Sequence, residues 1–512
     1  MTFPLLPQPA SVEPAAGHFL LNPRVTVDAT PQQSRVVGAL LGVVALPSTD
    51  AHLTVRLDDS LPTEGYQLTV TPERVTILVG TDAALPWALQ TLRQLMPDEV
   101  FGAPVITPQP VPCCTITDSP RFGWRGGMID VARHFLPFAD LLRLVDQLAA
   151  HKFNRLHLHL ADDQGWRFES LKYPELTRVG ACRPETLHPY HGTDRTPHGG
   201  YYSQAQLRRL VSHAASRGIT VVPELDFPGH ASAALAAYPQ HGVEGFAVGH
   251  PATGFGVLEN VLNLDDDCLA FVFDLFDELL DVFPSQWIHI GGDEVPRTQW
   301  RESEASQQRA AQLGLTSVEE LQPWFTRQLV NHLRARGRTP IGWDEVADDG
   351  PVAGLVCHAW RSADKALPSA RAGGEVIVAP VQGTYLDYYP SDLPTEQWCI
   401  GGPTPTRTVY EFNPTDGFED VADRVIGTQF QLWTEYVASM SRVEYLIWPR
   451  ACALGEVAWS TPEGRSWDEF STRLAAHTRR LDAAGINHRP QEGPLPWQRG
   501  GHGRQSRGPH QN

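Results

Sequence analysis

With 512 residues the chain is too long for one ordinary core; length alone suggests roughly three domains, although a closed α/β barrel can use about 250 residues or more as one unit. A hydrophobic fraction of 42% and 14 tryptophans exclude a disordered or low-complexity protein. A formal net charge of −18 removes any general attraction to nucleic-acid phosphates or anionic lipid, while leaving neutral partners such as sugars open.

The N-terminal MTFPLLPQPASVEP lacks a basic stretch followed by an apolar core of signal-peptide length, and no apolar run reaches membrane-spanning length. The seven cysteines, Cys113, Cys114, Cys182, Cys268, Cys357, Cys399 and Cys452, show no CxxC pair and read as reduced, mostly buried thiols. A cytoplasmic setting is therefore the expectation, although a chain with its leader removed would read the same. Among the first elements, HLTVRLDD (52–59) alternates as a half-buried strand does, and YQLTVTPERVTILVG (66–80) predicts a hairpin turning at Thr71-Pro72-Glu73-Arg74. TDAALPWALQTLRQLM follows with helical spacing, Pro86 being early enough for the first turn. Strands followed by one helix predict a small α+β domain over residues 1–118, and FGAPVITPQPVP (101–112) reads as the connection out of it.

From residue 119 to 485 short apolar runs alternate with amphipathic helices such as FADLLRLVDQLAAH and SQAQLRRLVSHAASRG. The runs are GGMIDVAR (126–133), NRLHLHL (154–160), TVVPELD (220–226), WIHIGGDE (287–294), TPIGWDE (339–345), LVCHAW (355–360), EVIVAP (375–380) and TQFQLWTE (428–435). Eight such runs match the strand count of a (β/α)8 TIM barrel, and no Gly-rich phosphate fingerprint favours an open doubly wound sheet. Residues 486–512, rich in Gly, Pro, Arg and His with little to bury, are expected to be a disordered tail.

Polar residues crowd the downstream ends of these runs: Arg133, Asp162, Asp163, Asp226, Asp293, Glu294, Asp344, Glu345 and Glu435. One terminal Asp often caps the next helix, but so many together suit the catalytic face of a barrel. The adjacent carboxyls of Asp293 and Glu294 are the most informative. In a dry pocket both cannot ionise cheaply, so one is pushed toward the protonated form and can serve as a general acid. Consecutive strand residues face opposite sides, so both reach one site only if the chain leaves the extended form, which Gly291 and Gly292 make cheap.

DVARHF (130–135), HLHLADDQGWR (157–167), PELDFPGH (223–230), HIGGDE (289–294), GWDE (342–345), HAW (358–360), YLDYY (385–389) and LWTE (432–435) occur in this order. Together they make the chain resemble the retaining β-N-acetylhexosaminidases of glycoside hydrolase family 20, over nearly its whole length. The resemblance implies hydrolysis of terminal non-reducing β-linked GlcNAc or GalNAc, with no cofactor. The sugar's own acetamido oxygen would be the nucleophile and an oxazolinium-type species the intermediate. It implies Glu294 as general acid/base and Asp293 as the carboxylate that orients and stabilises the acetamido N–H. Tyr385 would bind the acetamido carbonyl, and Asp162 with His230 would support Glu294. Arg133, Asp387 and Glu435 would hold sugar hydroxyls, and Trp343, Trp360 and Trp433 would wall the pocket. The implied partners are β-N-acetylhexosaminide glycosides, with no nucleic acid or membrane; linkage, aglycone and oligomeric state are left open.

Two readings compete. His157 and His159 alternate on one strand and point the same way, as in metal-dependent barrel hydrolases, with His230 and Asp293 able to complete a site. That reading leaves Glu294, Tyr385 and the tryptophans without a role. A sugar-binding module derived from an enzyme would have lost its acid/base residue, whereas Glu294 is present.

Overall fold

The computed structural model describes residues 3–188 and 192–500. Its first unit is a mixed sheet of β1 (Ser11–Leu21), β2 (Arg24–Asp28), β3 (Val44–Pro47), β4 (Leu53–Leu57), β5 (Tyr66–Val70), β6 (Val75–Val79) and β7 (Gln109–Asp118). The strand order is β1-β7-β5-β6-β4-β2-β3. β5 and β6 form the expected hairpin, closed where Thr71 N–H donates to Arg74 O, and on both strands alternate residues are buried.

Two helices pack with this sheet where the sequence suggested one. α1 (Pro31–Leu41) is set by a capping box between Thr30 and Gln33. α2 (Leu85–Gln94) has Pro86 in its first turn, as expected. The predicted connection is also shorter than expected, because from Gln109 the chain enters β7, between β1 and β5. Pro110 and Pro112 are tolerated there because they lie beyond the end of β5, opposite Leu20 and His18 of β1.

The second unit is the expected closed barrel. Its strands are β8 (Trp124–Asp130), β9 (Arg155–His159), β10 (Thr220–Glu224), β11 (Trp287–His289), β12 (Thr339–Trp343), β13 (Val356–Ala359), β14 (Val376–Val378) and β15 (Val425–Leu432). They pair in parallel in chain order, and β15 closes on β8. Outer helices include α3 (Phe138–Ala150), α4 (Gln204–Ala215), α5 (Asp266–Val282), α6 (Leu321–Ala335), α7 (Arg450–Trp459) and α8 (Trp467–Ala483). β8 is buried throughout and α5 buries one stripe including Phe271, Leu275 and Leu279, as a barrel between helices requires. Residues 379–424, between β14 and β15, carry only short helical turns and supply part of the site.

The two units meet at the strand-starting end of the barrel. The buried Lys152 Nζ donates to Asp118 Oδ2 (2.9 Å) and to the Tyr66 hydroxyl (3.0 Å), while Trp459 Nε1 donates to Asp118 Oδ1 (3.0 Å). Arg125 pairs with Glu64 at 2.8 Å across the same junction.

The expectation of disorder from residue 486 fails for 486–500. Arg489 Nε donates to the buried Glu396 Oε1 (2.8 Å), and Gln498 Nε2 donates to His488 O, so this segment supplies the partner of a buried carboxylate. Residues 501–512 lie outside the described residues. All seven cysteines are unpaired and six are buried. Among the described residues no helix is long and apolar enough to cross a membrane.

Candidate active site

β11 ends at His289, and the chain then leaves the extended form: φ is +65° at Gly291, +94° at Gly292 and +50° at Glu294. This is the departure needed to present both carboxyls to one side. A Cβ on Gly291 would stand 1.8 Å from Asp226 Oδ1, so the turn and its neighbour leave no room for a side chain. Positive φ at Glu294, and at His230 (+47°), is a backbone strain of the kind that clusters at functional sites.

Above this turn lies a cavity of about 340 Å³. Arg133, Asp293, Glu294, Trp343, Trp360, Tyr385, Asp387, Trp433 and Glu435 all line it, joined by Phe255, Val257 and Tyr436. Of the residues given a role by the resemblance, Asp162 and His230 stand behind the lining.

The paired acids occupy different environments. Asp293 is buried, whereas the Glu294 side chain is 37% exposed at the rim. Burial, and then the facing carboxyl of Asp226, hold Asp293 well above the usual carboxylate range; Glu294 contributes less. Burial likewise pushes Asp226 up to about 7. The repulsion that separates charge states therefore acts mainly between Asp226 and Asp293, not between the sequence neighbours as the dipeptide suggested. Asp226 Oδ1 accepts from Gly292 N–H (2.8 Å), while Asp226 Oδ2 and Asp293 Oδ1 are buried without a donor. One proton held by the pair would relieve both.

Behind Glu294 is a line of alternating imidazoles and carboxylates. His230 Nε2 lies 3.6 Å from Glu294 Oε2, and His230 Nδ1 lies 3.3 Å from both Asp162 Oδ1 and Asp163 Oδ2. Burial alone would favour neutral His230, but Asp162 and Asp163 outweigh it and raise the imidazole well above its ordinary value. Asp162 is held well below the carboxylate range because Arg133 (2.7 Å), His230 and His159 (3.0 Å) overcome the effect of its burial.

The walls are aromatic. Trp343 is stacked on His358 at 4.4 Å and stands 5.9 Å from Trp433, and Trp360 stacks with Tyr385 at 6.3 Å. Trp343 Nε1 donates to Glu224 Oε1 (2.9 Å), and Trp360 Nε1 donates to Glu345 Oε2 (2.8 Å). Burial, then Asp293 and Asp344, push Glu345 up to about 8. The Arg133 guanidinium sits 4.8 Å over Trp433 and ties back to Asp162 and Gln164. Asp387 is raised well above the carboxylate range by burial and by Glu435, and its Oδ1 is buried with no partner, free to meet a hydroxyl. Asp226 and Glu345 were visible as strand-end acids but were given no part. Glu224, inside its run, carried no such signal.

His157 and His159 point the same way, as read, but not into the cavity. Both are buried beneath it and face Glu224, at 2.9 and 2.6 Å. His157 groups with His289 and His358, whereas His159 groups with Asp162 and Asp226, so they do not join His230 and Asp293 in one cluster.

A closed (β/α)8 barrel with carboxyls and tryptophans around a pocket at its strand-ending face suits a glycoside hydrolase. Comparison with known proteins makes the class specific. The family description "Glycosyl hydrolase family 20, catalytic domain" matches residues 122–462, and "Glycosyl hydrolase family 20, domain 2" matches residues 2–119. A β-hexosaminidase of Porphyromonas gingivalis is 36% identical over 97% of this chain, which spans 65% of that longer protein, just under two thirds of its length. One from Akkermansia muciniphila is 35% identical over 91% of this chain and 93% of its own. An exo β-N-acetylglucosaminidase of Vibrio harveyi, solved with N-acetylglucosamine, has a TM-score of 0.86 at 32% identity, covering 95% of this chain and 78% of its own. The chain belongs to glycosyl hydrolase family 20 and is a glycoside hydrolase of the β-hexosaminidase kind.

Proposed function

We propose that the protein is a retaining, exo-acting β-N-acetylhexosaminidase whose substrate supplies its own nucleophile. The observation that carries this reading is the joint placement of Asp293, Glu294 and Tyr385 on one small cavity walled by Trp343, Trp360 and Trp433. The more exposed acid, Glu294, stands where a leaving group departs and water enters, so it protonates the glycosidic oxygen and then activates water. The buried acid, Asp293, receives the acetamido N–H. With one proton shared between Asp226 and Asp293, the pair keeps a single negative charge to set against the positive charge developing on the oxazolinium ring.

Tyr385 donates to the acetamido oxygen and holds it against the anomeric carbon. The tryptophan faces take the apolar side of the pyranose and the acetyl methyl. Arg133, Asp387 and Glu435 bind the hydroxyls of a non-reducing end, which limits cleavage to terminal residues. His230 and Asp162 position Glu294 from behind. Oligosaccharides from chitin, peptidoglycan fragments and glycan antennae all present suitable termini.

The test is hydrolysis of chromogenic β-GlcNAc, β-GalNAc and plain β-glucoside side by side. Turnover of the first two with negligible turnover of the glucoside is expected, because glucose carries no acetamido group. Comparable cleavage of the glucoside, or a covalent sugar ester trapped on a side chain, would overturn the reading.

A further inference from the structure

The upper interior of this barrel is not apolar. Barrels of this type fill their bore mainly with branched aliphatic side chains. Here His157, His159, His289, His358, Glu224, Gln429 and Gln431 are all buried. Register sets their level: Asp130, His159, Glu224 and His289 are neighbours across the consecutive strands β8, β9, β10 and β11.

Glu224 sits at the centre. Its Oε2 accepts from His159 Nδ1 (2.6 Å) and lies 2.9 Å from His157 Nε2. Its Oε1 accepts from Trp343 Nε1 (2.9 Å) and lies 3.1 Å from His289 Nδ1. An ionised carboxylate so far from water needs a countercharge. His159 supplies it, because its other nitrogen, Nε2, is 3.0 Å from Asp162 Oδ2. A ring with carboxylate oxygens at both nitrogens is held as imidazolium.

The remaining neighbours leave this assignment intact. His157 accepts from Gln429 at Nδ1 (3.0 Å), and burial pushes it down to about 4, so it stays neutral. His289 accepts from Gly291 N–H at Nδ1 (3.1 Å), and its Nε2 faces His358 Nδ1 (3.3 Å). His159 also meets the Trp433 ring edge, at 5.0 Å, and clusters with the Asp226 carboxyl, which favours its charged form too. Beyond it, Asp162 is shared with Arg133 and His230, and His230 meets Asp163, Asp293 and Glu294. Asp226, on the same segment as Glu224, adds repulsion at its carboxylate side of the cluster.

The result is an alternating series, Glu224–His159–Asp162–His230–Glu294, with successive separations of 2.6, 3.0, 3.3 and 3.6 Å. We propose that Glu224 is a positioning residue for hydrolysis: its carboxylate fixes His159 as a cation, and so the charge behind Glu294, while anchoring the Trp343 indole in the pocket wall. One side chain thereby couples the fit of the acetamido group to the readiness of the proton donor. The inference rests on the acid/base role given to Glu294.

Glu224→Gln separates the two arms. Its amide oxygen still accepts from Trp343, but His159 loses one carboxylate and settles as a neutral ring donating from Nε2 to Asp162. Losing the nearer positive charge outweighs losing the farther negative one, so the alkaline limb of kcat/KM moves upward, by roughly half a pH unit. With a poor leaving group kcat falls about tenfold or more, a fraction of what general acid catalysis is worth. With a 4-nitrophenyl leaving group the fall is smaller, and KM for the GlcNAc substrate stays within about twofold, since the pocket wall keeps its hydrogen bond. Trp343→Phe should do the reverse, raising KM with the limb unmoved.

A Glu224→Gln variant with a wild-type pH profile and equal losses on both leaving groups would show a purely structural role and overturn the proposal. If that variant does not fold, His159→Gln, whose amide can still bridge Glu224 and Asp162, must show the same leaving-group selectivity. Glu294→Gln run in parallel isolates the underlying reading. If it loses no more on the poor leaving group than on 4-nitrophenyl, the acid/base assignment falls, and the proposal with it.

Discussion

The carboxyls of Asp226 and Asp293 face each other at the base of the pocket, both displaced upward by burial, and Asp293 further by the charge of Asp226. Asp226→Asn keeps an oxygen for Gly292 N–H but removes the repelling charge. Asp293 should then ionise more readily, and the acidic limb of kcat/KM should move to lower pH. A pH–rate profile checks this, and a limb that moves to higher pH would contradict the pairing.

Gly291 lies at φ +65° with Asp226 Oδ1 in the space a Cβ would need. Gly291→Ala should lower stability by about 1–3 kcal/mol and depress kcat at least tenfold, because the turn carrying Asp293 and Glu294 must shift. Chemical denaturation and initial rates measure the two effects separately. An alanine variant as active as the parent would show that the turn does not set the site.

Arg489 reaches the buried Glu396 from the segment beyond α8. Arg489→Ala strands that carboxylate, leaving it, among the described residues, the Ser391 and Tyr445 hydroxyls. A loss on the order of 3 kcal/mol is expected in urea unfolding, with KM little changed because the pair lies outside the cavity lining.

Burial pushes His134, His151 and His157 down to about 4, and His198 to about 3. An unfolded chain protonates its histidines near 6.5, whereas these rings stay neutral in the fold until far lower pH. Their contribution is fully present above about 6.5 and is lost as pH falls toward 4. His159 and His230, raised instead, act in the opposite sense as pH rises. A Tm measured from pH 7 to 4 should fall, and His151→Gln should flatten that slope; an unchanged slope would remove His151 from the set.

The barrel was legible because most of its strands end in a polar residue after an apolar run, a pattern that survives without coordinates. The acid pair was legible for the same reason, and the two glycines even announced the break in the strand. What escaped was set by three-dimensional proximity. Asp226 is the partner of Asp293 only because β10 and β11 are adjacent, so the neighbour in sequence, Glu294, was credited with its effect. β7 was hidden by Pro110 and Pro112, which break a strand pattern unless one knows that only β1 flanks them. Arg489 sat in a stretch of disordered-looking composition because its partner, Glu396, is far away along the chain.

Lys152 belongs to the barrel, yet the carboxylate that neutralises it, Asp118, and the hydroxyl that also accepts from it, Tyr66, belong to the sheet. Neither unit is thus a detachable module: cut apart, each would leave an orphaned polar surface at the cut. Melting should proceed as one cooperative event, the catalytic mouth being lost together with a foundation that never meets the sugar.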